Sequence, residues 1–220
     1  MCGRFSLTVN EAELNKRFHL SGGTEPYVPR YNCAPTQSLA VITNHGNTKL
    51  NYMRWGLVPS WSKDLKIGAK MINARSETIL EKPSFRSAFS HRRCLVPATS
   101  FFEWKQGKPK IPYAIRLVGG GLYTMAGIWE EWRSAEGRIV QSFSIITTQA
   151  NSLMQPLHHR MPVILSHDDE SRWLSDLPAG KLSQLLIPYP DECLEMYPVS
   201  DLVNSPKNEL PEVLLPVELF

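Results

Sequence analysis

Short apolar stretches punctuated by glycine- and asparagine-bearing turns dominate this chain, and helical spacing is confined to a few brief segments. Asn10 followed by Glu13 resembles a capping box, and Leu14 with Phe18 makes an i, i+4 apolar pair, so a short helix is predicted over roughly 10–19. Leu39 to Thr43, the turn residues Asn44-His45-Gly46-Asn47, and Lys49 to Trp55 predict a hairpin. Further strands are predicted over 94–97, 101–104, 113–118, 122–129, 138–147 and 163–165, with turns at Gln106-Gly107, Gly119-Gly120-Gly121 and Glu136-Gly137. Helices are predicted over 84–90, 151–157, 168–177 and 181–186, too few and too short to alternate regularly with the strands. The expected fold class is therefore α+β, with a mainly antiparallel, barrel-like core and a few short helices.

Composition narrows the class. A chain of 220 residues, 42% hydrophobic and 20% charged, can bury one sizeable core, which excludes disordered and fibrous proteins. No stretch approaches the roughly 20 apolar residues of a membrane span, and Met1-Cys2-Gly3-Arg4-Phe5 lacks the apolar region of a signal peptide, so a soluble intracellular protein is expected. The 17 prolines are scattered and no repeat or low-complexity tract interrupts the chain, so residues 1–220 are expected to form one domain. Cys2, Cys33, Cys94 and Cys193 lie far apart without a paired spacing, which argues against a disulfide scaffold, a zinc site or any other metal. The net charge of +3 conceals an asymmetry. Residues 1–110 carry 17 Lys and Arg against 7 Asp and Glu, whereas residues 111–220 carry 7 against 14, a split that hints at a polyanionic partner.

Five segments could carry chemistry. Removal of Met1 would leave Cys2 with a free α-amine beside its thiol, a 1,2-aminothiol able to condense with an aldehyde and close a thiazolidine. From this residue alone, an incidental buried cysteine is an equally good reading. Asn73-Ala74-Arg75-Ser76-Glu77-Thr78 pairs an untitratable donor and acceptor with an arginine fork suited to phosphate, although such a run is more often a loop. Phe101-Phe102-Glu103-Trp104 places a carboxylate in an aromatic run, where burial would raise its pKa toward general-acid range; a strand with Glu103 facing water is the plainer alternative. His158-His159-Arg160-Met161-Pro162 could supply a proton shuttle and a phosphate ligand, or simply an exposed loop. Trp55-Gly56-Leu57-Val58-Pro59-Ser60-Trp61 with Lys63, Lys66 and Lys70 interleaves aromatics and bases as single-strand binders do, and core tryptophans beside a basic loop explain it nearly as well.

Taken in order, these segments together with Arg30-Tyr31-Asn32-Cys33-Ala34-Pro35, Arg92-Arg93-Cys94-Leu95-Val96-Pro97 and Val203-Asn204 resemble the SRAP family, the SOS-response-associated peptidase family of abasic-site sensors. The resemblance covers nearly the whole chain. It implies a cofactor-free, cysteine-type DNA–protein crosslinking enzyme with autopeptidase and lyase-like chemistry. Such an enzyme loses Met1 by its own action and captures the ring-opened abasic aldehyde in single-stranded DNA through Cys2. It further implies that Asn73 orients the sugar and the amine, that Glu103 exchanges protons during ring opening and Schiff-base formation, and that His158 serves the later proton steps. Arg4, Arg75 and Arg160 would hold phosphates, Trp61 and Pro35 would lie against flanking bases, and Thr147 would add a backbone contact. The replication machinery is a candidate partner, a monomer is the default state, and the location would be the cytoplasm near the nucleoid in a bacterium or the nucleus in a eukaryote. His159 stands where the family often has an acid, which is expected to lower the pKa of His158, and Ser100 stands where glycine is frequent.

Two other classes start from the same residues. An N-terminal-nucleophile amidohydrolase or glutamine amidotransferase also exposes a cysteine thiol with its own amine as base, but its further glutamine-binding motifs are missing from the sequence. A non-catalytic single-strand binding module would associate with DNA without Cys2.

Overall fold

The computed structural model describes residues 2–20, 26–44 and 50–218. In chain order the strands and α-helices are β1 (Phe5–Leu7), α1 (Glu11–Phe18), β2 (Arg30–Cys33), β3 (Ser38–Thr43), β4 (Asn51–Trp55), β5 (Asn73–Arg75), α2 (Arg86–His91), β6 (Arg93–Ala98), β7 (Ser100–Lys105), β8 (Ile111–Leu117), β9 (Tyr123–Arg133), β10 (Ile139–Gln149), β11 (Arg160–Pro162), β12 (Ile164–Leu165), α3 (His167–Leu174), α4 (Ala179–Ser183) and β13 (Leu194–Pro198). Short 3₁₀ turns fill several of the connections, including Leu65–Lys70 and Asp201–Asn204.

The expected α+β class holds, and the barrel is literal. Strands β4, β3, β6 and β9 pair in sequence, and β10 closes the ring by bonding both β9 and β4. Pairing is antiparallel except along β10, which runs parallel to β4 and to β5. A second, five-stranded antiparallel sheet runs in the order β13-β8-β7-β1-β2. Alternation along the barrel strands buries both faces. Cys94, Val96, Met125, Phe143 and Ile145 pack with Phe5, Phe101 and Ile115 of the second sheet, whereas Leu95, Ala126, Ile128 and Ile146 pack under Phe89 and Trp173 of the helices.

The first helix begins as its capping pattern predicts, with the Asn10 side chain accepting from the Glu13 amide at 2.9 Å. The hairpin of β3 and β4 forms with Val41 opposite Asn51, although most of its predicted turn lies outside the described residues. The helix expected over 151–157 is instead a run of turns. Pro156 has no amide hydrogen to continue a helical ladder, so the capping bond from the Met154 amide to Asn151 Oδ1 starts a turn that ends within six residues. Helix α3 stops at Leu174, short of the expected 177, because Ser175 is extended and Pro178 follows. α4 spans Ala179–Ser183 rather than 181–186, starting directly after Pro178.

One buried cation holds the helical layer to the barrel. Arg93, at the start of β6, is 1% exposed and donates to the carbonyls of Phe89 and Ser90 in α2 and of Trp173 and Ser175 around the end of α3. These are the orphan acceptors that helix C-termini leave behind, and a cation suits the negative end of each helix.

Candidate active site

Strand pairing assembles the site from distant stretches of sequence. Phe5 of β1 lies opposite Phe101 of β7, and the Arg4 carbonyl accepts from the Phe102 amide at 2.9 Å, which brings the segment holding Cys2 alongside Glu103. β5 places Asn73 beside Ile145 of β10, and from there the Asn73 amide donates to the Cys2 carbonyl oxygen at 2.8 Å. The other edge of β10 pairs with β11, Gln149 opposite Arg160, which anchors His158 just upstream. The site thus lies where the second sheet meets the end of the barrel.

Burial governs its electrostatics. Cys2 is fully buried, and that burial pushes its thiol up to about 12, with the nearby Glu103 charge adding to the effect. Glu103, only 5% exposed, has its carboxyl raised for the same reason, so the aromatic-run reading of this residue prevails over a water-facing one. Asn73 Oδ1 is buried without a hydrogen-bond partner among the described residues, an acceptor held next to Cys2.

His158 stacks on His159 with ring centroids 4.3 Å apart, and its Nδ1 accepts from the Arg160 backbone amide at 2.9 Å. That bond leaves the neutral ring's hydrogen on Nε2. Burial above all lowers the His158 pKa to about 4, and the neighbouring His159 adds to the shift, in the direction expected from the histidine at position 159.

The arginines divide. Arg75 is exposed at the end of β5. Arg160, expected on phosphate, is 6% exposed, and its fork grips Glu77 at 2.6 and 3.0 Å and also the Thr147 carbonyl. Its guanidinium is therefore occupied by the protein. Thr147, expected to offer a backbone contact to the DNA, is fully buried, and both its carbonyl and its hydroxyl oxygen accept from Arg160. Arg4 is half-buried and donates from Nη1 to Asn32 Oδ1 at 2.9 Å and to the Val203 carbonyl at 3.0 Å. Asn32 in turn donates to the carbonyls of Val203, Ser205 and Asn208, which ties the 30–35 segment to the 203–208 segment.

Trp61 is 60% exposed, unusual for so large an apolar side chain. Its loop is held where two glycines cross: a Cβ on Gly56, at φ +121°, would stand 2.5 Å from the Gly68 carbonyl oxygen, and one on Gly68 would stand 2.4 Å from that of Gly56. Pro35, partly exposed, sits in a turn bonded to the end of β4 through the Thr36 amide and Trp55 carbonyl, 2.8 Å. Tyr123, read from sequence only as part of the strand over 122–129, is 3% exposed in the same cluster as Cys2 with a hydroxyl unpartnered among the described residues. A buried phenol in an apolar strand gives no periodic signal that would have singled it out. No group of three His, Cys, Asp or Glu among the described residues could hold a metal. No described helix is long and apolar enough to cross a membrane.

Comparison with known proteins agrees along nearly the whole length. The family model for the SOS response associated peptidase (SRAP) matches residues 1–206. The abasic site processing protein YoqW of Bacillus subtilis is 46% identical over 97% of this chain and 99% of its own. The abasic site processing protein HMCES of Gallus gallus is 33% identical over all of this chain and 79% of its own. A crystal structure of a protein from Bacteroides thetaiotaomicron superposes with a TM-score of 0.89 at 30% identity, over 99% of this chain and all of the other.

Proposed function

The chain belongs to the SOS response associated peptidase (SRAP) family, and from that premise we propose that it processes abasic sites in single-stranded DNA by crosslinking itself to them through Cys2. The observation that carries the reading is the placement of Cys2: buried, coupled to the carboxyl of Glu103, and held at its carbonyl by Asn73. The whole chain acts as one domain, as the bonds from Arg4 and Asn32 to the 203–208 segment support.

The order of bond making follows from the thiol. Hydrolysis of the Met1–Cys2 peptide bond by the protein's own site frees the α-amine, whose reference pKa of about 7.7–8.0 leaves a useful neutral fraction at physiological pH. Burial disfavours the thiolate, so nitrogen attacks first. The ring-opened sugar presents its aldehyde; the amine adds to that carbon, and loss of water gives the Schiff base. The Cys2 sulfur then bonds to the same carbon while its proton passes to the imine nitrogen, which closes the thiazolidine with one water released overall. Glu103, its carboxyl raised by burial, protonates the departing hydroxyl and takes a proton back from the amine. Asn73 keeps the amine aimed at the sugar. His158 is neutral at physiological pH and donates from Nε2–H, so it steadies the sugar oxygens while Glu103 supplies the proton that reopens the ring. Arg75 meets a phosphate, with Arg4 beside the nucleophile; Trp61 and Pro35 meet flanking bases. Arg160 serves by orienting His158 and Glu77. The protein works as a monomer, with the replication machinery as a partner.

The test is mass spectrometry and denaturing electrophoresis of the full chain with abasic single-stranded DNA. A denaturation-resistant adduct is expected, with loss of one water, and it disappears in Cys2→Ala and in protein that retains Met1. Equal crosslinking by Cys2→Ala overturns the reading.

A further inference from the structure

Tyr123 opens β9 opposite Ala98 of β6, and successive residues of the strand turn to opposite sides. Thr124 faces the helices, where its hydroxyl donates to Glu170 of α3 at 2.8 Å, so Tyr123 and Met125 face the core that holds Cys2. The phenol oxygen is buried there with no hydrogen-bond partner among the described residues. Ala98, directly across, has no polar side chain to offer. The hydroxyls that follow it are taken up with one another: Ser6 bonds Thr99 at 3.0 Å and Ser100 at 2.7 Å. A phenylalanine would fill the same space without stranding a donor, and a donor stranded in a core is costly enough to call for a use.

Cys2 supplies the matching deficit. Its S–H points to the Arg4 carbonyl, with sulfur and oxygen 4.0 Å apart, and no donor among the described residues reaches the sulfur itself. Burial holds the Tyr123 phenol well above its ordinary range, and charge on the Cys2 sulfur, within electrostatic reach, raises it further. The hydroxyl is therefore a donor throughout the physiological range.

Resting on the crosslinking reading above, we infer that the Tyr123 hydroxyl is a further donor of the active site, one that hydrogen-bonds to the Cys2 sulfur as negative charge develops on it. During ring closure the S–H proton leaves for the imine nitrogen and the sulfur electron pair bonds to the imine carbon. Tyr123 keeps its own proton throughout and steadies the sulfur between these two events. Amine addition and loss of water come earlier and run through nitrogen, Asn73 and Glu103, so they proceed without it. Acting on the sulfur step alone is a signature that a packing role lacks.

Tyr123→Phe removes one oxygen and keeps the ring. Because the lost hydroxyl has no described partner, Tm by calorimetry should hold or rise. In the full chain freed of Met1, alkylation of Cys2 by a small reagent at a fixed, mildly alkaline pH reads the sulfur without DNA, with the exposed Cys193 as reference in peptide mass spectra. Without one hydrogen bond to its charged form, the Cys2 thiolate should be about 10-fold scarcer. Its greater intrinsic nucleophilicity returns part of that, so Cys2 should react about 3-fold more slowly. With abasic single-stranded DNA, borohydride quenching of timed samples captures the Schiff base and spares the closed ring. In Tyr123→Phe the imine should form within about 2-fold of the wild-type rate and last about 10-fold longer. An unchanged Cys2 alkylation rate, an unchanged imine lifetime, or equal slowing of imine formation and closure overturns the inference. If the wild type forms no denaturation-resistant adduct, the crosslinking reading falls, while slower alkylation in Tyr123→Phe still upholds the bond from Tyr123 to Cys2.

Discussion

The side-chain amide of Asn73 donates to the carbonyl oxygen of Cys2 at 2.8 Å, bridging 71 positions of sequence and joining the barrel to the second sheet. Its other atom, Oδ1, is buried beside the same residue without a described partner. Asn73→Ala should therefore slow adduct formation by about 10- to 100-fold, the scale of a misplaced reactant. Affinity for intact single-stranded DNA should stay within about 3-fold. A rate within 3-fold of wild type, by denaturing electrophoresis of timed samples, would remove Asn73 from the mechanism.

Glu103→Gln keeps the shape and discards the titration. Adduct formation should slow by about 10²- to 10⁴-fold, the usual range for a lost acid–base group, with DNA binding little changed. Stability should move the other way. The folded carboxyl is raised, so the wild type is stabilised below the ordinary carboxyl range of about 4.3 and loses that stability as pH climbs toward the raised value. Denaturant midpoints across pH should show that slope in wild type and lack it in Glu103→Gln.

For His158 the sign is opposite. Its folded pKa is depressed to about 4 against a reference near 6.5, so the folded protein keeps full stability above about 6.5 and loses it as pH falls from there toward 4. His159→Ala should raise the His158 value by removing the stacked ring, as NMR titration of the imidazole nitrogens would report. No change on removing His159 would mean that burial and the other nearby positive charges set it.

Arg75 and Arg160 should separate in a salt series. Arg75→Ala should lower the slope of log K by about 0.7, one single-strand phosphate. Arg160→Ala should leave the slope alone, because its fork already holds Glu77 and Thr147, and should instead raise the His158 pKa by removing a nearby positive charge while the backbone amide bond stays. A slope reduced equally by both would return Arg160 to the phosphates.

Arg93→Met should destabilise without touching chemistry. Four carbonyls at the ends of α2 and α3 lose their donor, at a cost of about 2–4 kcal/mol if buried acceptors are left unmet. At roughly 2–4 °C per kcal/mol for a chain of this size, Tm should fall by roughly 4–16 °C, measurable by calorimetry. Adduct formation at low temperature should remain.

Local signals located much of the fold. The Asn10 cap, the β3–β4 hairpin and the strands later numbered β6 to β10 are written in apolar runs and turn residues, because period and capping are properties of neighbours in sequence. The three-residue strands β1, β5 and β11 are not: each is too short to show a period and exists only because another strand lies beside it. The failed helix over 151–157 shows the converse, a helical pattern cancelled by one proline.

The sequence by itself determined the candidate chemistry: an aminothiol at Cys2, an amide at Asn73, a carboxyl at Glu103, an imidazole at His158, and the family to which they belong. It also located the basic excess in the first half. Only the tertiary structure decided what each charged group is free to do. Arginines 75 and 160 read alike in sequence, yet one ends exposed at a strand terminus and the other buried on Glu77. The difference is made by partners 83 residues away in the chain and by desolvation, and neither is a property that a residue carries on its own.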